Sequence, residues 1–290
     1  MRIAEAVRQK VIEIDRRYRS SWDTRSIAFA VGISATSVAK ILKAERGPRP
    51  KPGKRSHERR TRFLLRDVMW SSDYKNLLGG RKLLKTMDEM SRYRVGWEVR
   101  RTESAEAVVA HAEDLIRRMG RSPLAWKYDH GSPFTSDLFQ DFLARHRIIP
   151  YPIPPRAPWA NGRNERDNQE IANWLLALEG KELDDAELER DVDEGMLMLN
   201  YVKPRAVLGF RRSAEVYFGA EGVEGIDREH VAMNLLDIEC QMGAAHQYDE
   251  RIHRRAVRKL MQEWKLYEEW EVARKGVGSV NRTGGSDVAI

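Results

Sequence analysis

Between Arg46 and Arg62 the chain reads Arg-Gly-Pro-Arg-Pro-Lys-Pro-Gly-Lys-Arg-Ser-His-Glu-Arg-Arg-Thr-Arg, alternating Pro and Gly with cations. Proline removes an amide donor and fixes φ, so a helix cannot propagate through this stretch. It therefore predicts an extended connector that separates two differently patterned parts of the chain. It carries eight Lys/Arg and one Glu, 8 − 1 = +7, which equals the formal charge of all 290 residues and leaves the remainder neutral. Cations gathered in this way suit an anionic partner such as a nucleic acid. A merely solvated spacer is the alternative reading.

An apolar content of 41% is enough for at least one sizeable core, and the length suggests two or three units. The single cysteine, Cys240, excludes an internal disulfide framework, and no Cys/His spacing resembles a zinc site. No stretch approaches 18 uninterrupted apolar residues, and the N-terminus lacks the pattern of a signal peptide. The expectation is a soluble, cytoplasmic protein that makes no use of a membrane.

Upstream of the connector, Val7, Val11, Ile14 and Tyr18 recur at helical steps and predict an amphipathic helix over 4–19. Ile27 to Val31 then runs into Gly32-Ile33-Ser34 and a second helix over 35–43 capped by Ser34, a helix-turn-helix signature. Ile27, Val31, Ile33, Val38 and Ile41 would pack inward. Ala35, Thr36, Ser37 and Lys40 would remain on the face that enters a major groove. An ordinary helical hairpin without a DNA role is the alternative.

Beyond Arg66 the period changes to that of strands: 68–70 leading into Asp73, 82–87, and Val95, Trp97 and Val99 alternating with Gly96, Glu98 and Arg100. A helix over 105–119, a strand over 124–128, a helix over 136–145 and a strand over 148–151 follow. Next comes a proline-rich loop to Gly162 and a helix that Glu165 opens. The order β-β-β-α-β-α-β-α implies a mixed sheet with helices on its faces, and an α/β class. Residues 179–194 contain nine acidic and two basic residues, read as a solvated helix face. The stripe Ile252, Ala256, Leu260, Trp264 and Tyr267 predicts a C-terminal helix that packs on the core, pairs subunits or lies along DNA.

Asp73, Asp129 and Glu165 stand at two strand ends and one helix start, positions able to converge on a point. Three oxygen donors with no cysteine or histidine cluster beside them are the set preferred by hard Mg²⁺ or Mn²⁺. Gathered carboxylates also repel one another unless cations offset them. Lys75, Arg156, Arg163 and Arg166 flank the triad and could hold phosphates, or could simply be solvated.

The segments Met87-Asp-Glu-Met-Ser-Arg-Tyr-Arg-Val-Gly-Trp97, Asp129-His-Gly-Ser-Pro-Phe-Thr-Ser136 and Pro158-Trp-Ala-Asn-Gly-Arg-Asn-Glu-Arg166 resemble, in this order, the integrase-like family of DDE transposases. The likeness runs over 68–218. It implies an RNase H-like fold, with Asp73, Asp129 and Glu165 as the catalytic, metal-binding triad and Asp88 as a structural residue. The chain departs from the family pattern at Arg205-Ala206 and Ser213, and it lacks the zinc module of the retroviral relatives. That points to a bacterial insertion-sequence enzyme acting on the prokaryotic nucleoid.

The expected architecture is thus an N-terminal all-α helix-turn-helix domain (1–45), a basic connector (46–65), an RNase H-like core (66–220), a helical C-terminal region (221–275) and a tail (276–290). The resemblance implies two Mg²⁺ ions, with Mn²⁺ as a substitute, serving cleavage at element ends and transfer of the freed 3′-hydroxyl into target DNA. The partners would be double-stranded terminal repeats and target DNA, and a homo-oligomer, dimer or tetramer, would pair the ends. Thr36, Ser37, Lys40, Arg46, Arg49, Lys51, Lys54, Arg55, Arg59, Arg60, Lys75, Arg156, Arg163 and Arg166 are the expected DNA contacts. A DNA-binding regulator derived from a transposase and an RNase H-type nuclease are the competing functions.

Overall fold

The computed structural model describes residues 3–46, 58–154, 161–181, 183–243 and 248–272. A five-stranded sheet organises the chain: β2 (Met69–Asn76), β3 (Lys82–Asp88), β4 (Arg94–Arg100), β5 (Ala125–Tyr128) and β6 (Ile149–Pro152). Their spatial order is β4-β3-β2-β5-β6, with β2 in the centre. β3 pairs antiparallel with both β2 and β4, whereas β2–β5 and β5–β6 are parallel. So β3 alone opposes the other four, which is the RNase H-like arrangement that the resemblance implies.

Local sequence explains the elements that frame the sheet. Helix α4 (Ala105–Met119) begins where Ser104 Oγ accepts the Ala107 amide at 3.1 Å and ends at Gly120. Its buried Val108, Ala112 and Leu115 share one face, at helical spacing. That face meets β4 so closely that a Cβ on Gly96 would lie 2.3 Å from Leu115 Cδ2, and only glycine admits the contact. Helices α5 (Ser132–Thr135) and α6 (Asp137–Arg145) follow β5, and α7 (Gly162–Leu175) and α8 (Asp185–Tyr201) pack on each other.

The N-terminal helices are α1 (Glu5–Arg17), α2 (Thr24–Val31) and α3 (Ala35–Arg46). α2 starts at Asp23, whose carboxylate accepts the Arg25 and Ser26 amides, and stops at Gly32 in the left-handed region, φ 76°. The axes of α2 and α3 turn through 111°. Ile27, Val38 and Ile41 are buried, as their spacing predicts. No single helix among the described residues is long and apolar enough to cross a membrane.

These three helices dock on the core. Trp22, 6% exposed, donates to Met198 Sδ at 3.2 Å, Ser26 Oγ to the Pro204 carbonyl at 2.6 Å, and Lys203 Nζ to the Ser21 carbonyl at 2.8 Å. One apolar cluster runs from Val11, Trp22 and Leu42 to Trp174, Val192 and Leu199. The acidic stretch takes part: Asp191 pairs with Arg19 at 2.7 Å, Asp185 with Arg81 and Arg101, and Asp193 accepts from Trp97. Most of its acids nonetheless face solvent, Glu187, Glu189, Asp193 and Glu194 among them, as the reading of a solvated helix face expects.

Two expectations are corrected. The connector read as extended ends in β1 (Glu58–Phe63), which carries Arg59 and Arg60 and pairs antiparallel with β7 (Tyr267–Val272). Phe63 packs on Tyr267 at 5.2 Å, and Arg62 pairs with Glu268 at 2.7 Å. β7 follows α9 (Ser213–Gly219), α10 (Arg228–Gln241) and α11 (Glu250–Glu263), so the C-terminal region is not wholly helical and Tyr267 lies on a strand. Alternating Tyr, Trp and Val around glutamates favours β pairing once a basic partner strand is available.

Candidate active site

Asp73 lies on central β2 and is 7% exposed. Side chains alternate along a strand, so Ser71, Asp73 and Lys75 share a face. α7 crosses that face. Ser71 Oγ donates to Asn164 Oδ1 at 3.3 Å, and Asn168 Nδ2 donates to Asp73 Oδ2 at 2.6 Å. Asn164 and Asn168 are one helical repeat apart, matching the two-residue step between Ser71 and Asp73.

The parallel register between β2 and β5 pairs Ser71 with Lys127. Two residues further along each strand stand Asp73 and Asp129, on neighbouring strands roughly 4.8 Å apart. Asp129 is partly exposed just beyond β5, and its Oδ1 accepts the Gly131 amide at 2.9 Å, which leads the chain into α5. Burial first, then the charges of Asp129 and Asp167, raise the pKa of Asp73, while Lys85 and the Asn168 hydrogen bond oppose the rise. Asn168 Oδ1 is buried with no hydrogen-bond partner among the described residues. Two carboxylates and an orphaned amide oxygen are a set of oxygen donors chemically suited to a hard divalent cation.

Glu165 does not complete this set. It is exposed in the first turn of α7, and among the described residues no three acids, histidines or cysteines gather closely enough to hold a metal. The convergence expected from sequence is therefore met by two members and not by the third. Glu165 stands three residues before Asn168, about 4.5 Å along the axis and on a neighbouring part of the same face.

The other side of α7 is closed by buried charge. Asp167 pairs with Lys85 at 3.0 Å and with Arg94, while Glu170 receives Arg205 at 2.9 Å, Lys203 at 3.1 Å and Arg94 at 3.3 Å. Burial would raise both carboxyls, yet these cations hold them below the ordinary range. Arg205 also donates to Ser213 at 2.8 Å, so two positions that depart from the family pattern bond to each other. Glu89 is the hub of a second cluster, receiving Lys127 and Arg163 at 2.6 Å each.

Asp88 is fully buried and accepts the Asp67 amide at 2.9 Å and both donors of Ser91, at 2.8 and 2.6 Å. Burial, then Asp67, pushes its carboxyl up to about 6. It staples the β3–β4 turn and stays outside the site, as the resemblance implies.

The expected DNA contacts divide. Thr36 and Lys40 are exposed on α3, and Ser37 is half-exposed with its amide capped by Ser34 at 3.1 Å. Lys75 is half-buried on the face of Asp73, its pKa lowered by burial and by Lys85. Arg60 is exposed on β1. Arg166 is exposed and has no ion-pair partner among the described residues. Two arginines face the protein: Arg46 pairs with Asp15 at 3.2 Å, and Arg163 binds Glu89, the Thr61 carbonyl at 2.6 Å and the Phe63 ring. Arg163 is thus a clamp between α7 and β1, a role that its loop position did not suggest. Arg49, Lys51, Lys54, Arg55 and Arg156 lie outside the described residues, as does the tail over 276–290.

Sequence reading missed Asn168, Lys85, Asp167 and Glu170. A signal for Asn168 existed, because a polar residue one turn after Glu165 shares its side of the helix. Nothing marked Lys85, since a lysine inside a strand ordinarily reads as a surface residue.

Residues 66–158 match the integrase core domain family, a span that includes Asp73 and Asp129 and ends before Glu165. Among curated proteins no significant match is found. Solved structures similar to this chain include the catalytic core of BIV integrase (20% identity, TM-score 0.44, 52% of this chain and 94% of that one). The HTLV-2 integrase catalytic core in complex with magnesium is similar at 20% identity and TM-score 0.44, over 54% and 99%. A simian T-cell lymphotropic virus intasome chain is similar at 17% identity and TM-score 0.49, over 71% and 74%.

Proposed function

We propose that this chain is a DNA transposase or integrase, a polynucleotidyl transferase that cleaves the ends of a mobile element and joins the freed 3′-hydroxyl to target DNA. The observation that carries the reading is that Asp73 on β2 neighbours Asp129 just beyond the end of parallel β5, inside the segment that matches the integrase core domain. Mg²⁺, or Mn²⁺ in its place, would be held by these two carboxylates and by Glu165, supplying Lewis-acid polarisation of a phosphoryl oxygen and easier deprotonation of the attacking water or hydroxyl. The donor set fits such an ion: all oxygen, partly buried, and one ligand short of satisfaction at Asn168.

The chain's own groups have distinct tasks. Lys85 and the Asn168 amide oppose the rise that burial imposes on the Asp73 pKa, and the Asn168 hydrogen bond fixes its carboxylate. Lys75, on the same face, offsets charge on the scissile phosphate. Glu165 is delivered by the first turn of α7. The region α2–turn–α3 acts as a helix-turn-helix, with Thr36, Ser37 and Lys40 toward the major groove of a terminal repeat and the basic connector along the phosphates. Two ends must be brought together, so the working unit is a homo-oligomer, acting on DNA in a prokaryotic cytoplasm.

The test is Asp129→Asn in a strand-transfer assay on duplex oligonucleotides. Divalent-dependent cleavage and joining should vanish while DNA binding persists. Unchanged joining would refute the assignment. Cleavage confined to RNA in hybrids would favour an RNase H-type nuclease, and a wild-type chain that binds DNA without cutting it would favour a regulator.

A further inference from the structure

Between the first turns of α7, the start of α2 and the 205–207 loop lies a cleft of about 280 Å³. Arg25, Arg92, Arg163, Arg166 and Arg205 line it. Asp23, Asp167 and Glu170 line it too, but each is already committed to the protein. Asp23 caps α2, Asp167 is shared by Lys85 and Arg94, and Glu170 by Arg94, Lys203 and Arg205.

Around this cleft the buried charges do not balance. Lys85, Arg94, Lys203 and Arg205 converge on Asp167 and Glu170, with Asp23 3.7 Å from Lys203, and Arg92, Lys127 and Arg163 converge on Glu89, so seven cations meet four carboxylates. An uncompensated charge away from water is costly, so such an excess favours an anion from outside. Burial and then the neighbouring Arg163 lower the Arg92 pKa to about 9, as expected for guanidiniums crowded without enough counter-charge.

The cleft also offers a helix terminus. Gly162, the first residue of α7, lines it, and the N-cap Asn161 makes no side-chain capping bond, leaving first-turn amides available for an oxyanion. Arg166 and Arg25 stand at the exposed rim, and Arg25 has only a long 3.9 Å contact with Asp23.

We propose that this arginine-lined cleft holds a phosphodiester of bound DNA, so that one backbone phosphate bridges the N-terminal helical unit and the helix that carries Glu165. The inference rests on the proposed function and adds to it a specific phosphate site. Phosphate is the shared chemistry of two sources, DNA backbone and free phosphate, and position favours the first. The cleft is lined both by the start of α2, at Asp23 and Arg25, and by the first turns of α7, at Gly162, Arg163 and Arg166, beside Glu165. Occupancy would then fix the first turn of α7, and with it Glu165.

The test uses the full chain and the double variant Arg25→Gln/Arg166→Gln, which alters only the exposed rim and should unfold at the wild-type temperature. In the first arm, binding of a fluorescein-labelled duplex oligonucleotide is measured over a salt series without divalent metal. The slope of log K against log [salt] should become shallower by about 0.9, the release expected for one phosphate. In the second arm, inorganic phosphate should raise the unfolding temperature of the wild type above the effect of chloride at equal ionic strength, and should not do so in the variant.

An unchanged DNA slope overturns the proposal, and if phosphate still stabilises the wild type alone, the cleft is a free-phosphate pocket instead. A changed slope without a phosphate effect would place the two arginines on DNA outside the cleft and would equally overturn it. Neither arm requires turnover, so failure here is distinguishable from failure of the Asp129→Asn test.

Discussion

The two sides of α7 handle charge in opposite ways. Toward β2 and β5, Asp73 and Asp129 stand together without a matching pair of cations, with Asn168 Oδ1 unsatisfied and Glu165 out in solvent. Toward β3, β4 and α8, Asp167 and Glu170 are buried and held by four cations between them, Lys85, Arg94, Lys203 and Arg205, with the guanidinium of Arg94 shared by both acids. The difference teaches that one helix can carry both the scaffold and, on the proposed reading, the chemistry. Where acids are paired they hold the fold, and on the proposed reading the unpaired ones are those that would hold the cation.

The sharpest way to break this comparison is Asp73→Asn. If the β2 side is chemical, turnover should fall by roughly 10³-fold, the equivalent of the several kcal/mol a divalent ion supplies. The unfolding temperature should be unchanged or higher, because burial already disfavours the charged form of Asp73. A variant that melts earlier than wild type would place Asp73 with the structural acids.

Glu170→Gln should behave in the opposite way. Leaving Arg205, Lys203 and Arg94 without their carboxylate should cost about 3–5 kcal/mol in chemical denaturation at neutral pH. The folded pKa of Glu170 is depressed, so its contribution is present above the ordinary glutamate value near 4.3 and is lost as pH falls toward the folded value. The gap between variant and wild type should therefore close in acid. A gap that widens there would contradict the assignment.

Asn168→Ala sharpens the boundary between the two sides. Its amide orients Asp73 at 2.6 Å, so the Mg²⁺ concentration for half-maximal cleavage should rise by roughly 10- to 100-fold, as for partners that orient metal ligands. An unchanged metal dependence would make Asn168 simply a packing residue.

The smallest effect should come from Arg62→Ala on the β1–β7 ribbon. Its pair with Glu268 is well exposed, so equilibrium unfolding should shift by less than about 1 kcal/mol. A larger loss would mean that the ribbon, not the sheet, anchors the connector.

What was legible in the sequence was what is encoded locally. α4 spans the predicted 105–119 because a serine cap and a closing glycine bracket an apolar stripe. The turn between α2 and α3 and the strands bearing Asp73 and Asp129 are read from neighbours a few residues away. β1 was not legible because its partner β7 lies some two hundred residues downstream, and an isolated run of arginine looks like a solvated connector. Lys85, Asp167 and Glu170 were invisible for a similar reason, since charged residues are assigned to the surface until distant partners bury them. The Asp73 and Asp129 pair was foreseen. That Glu165 stands apart from it was not, because spacing along a chain reports which residues can meet and not whether they already do.

The central claim, that Asp73 and Asp129 leave room for a divalent cation, is tested most directly by calorimetric titration of Mg²⁺ into the full chain and into Asp129→Asn. The account predicts binding heat for the wild type that is lost in the variant, with both chains folded to the same degree. Equal binding by both, or none by the wild type even when duplex DNA is present, would contradict it.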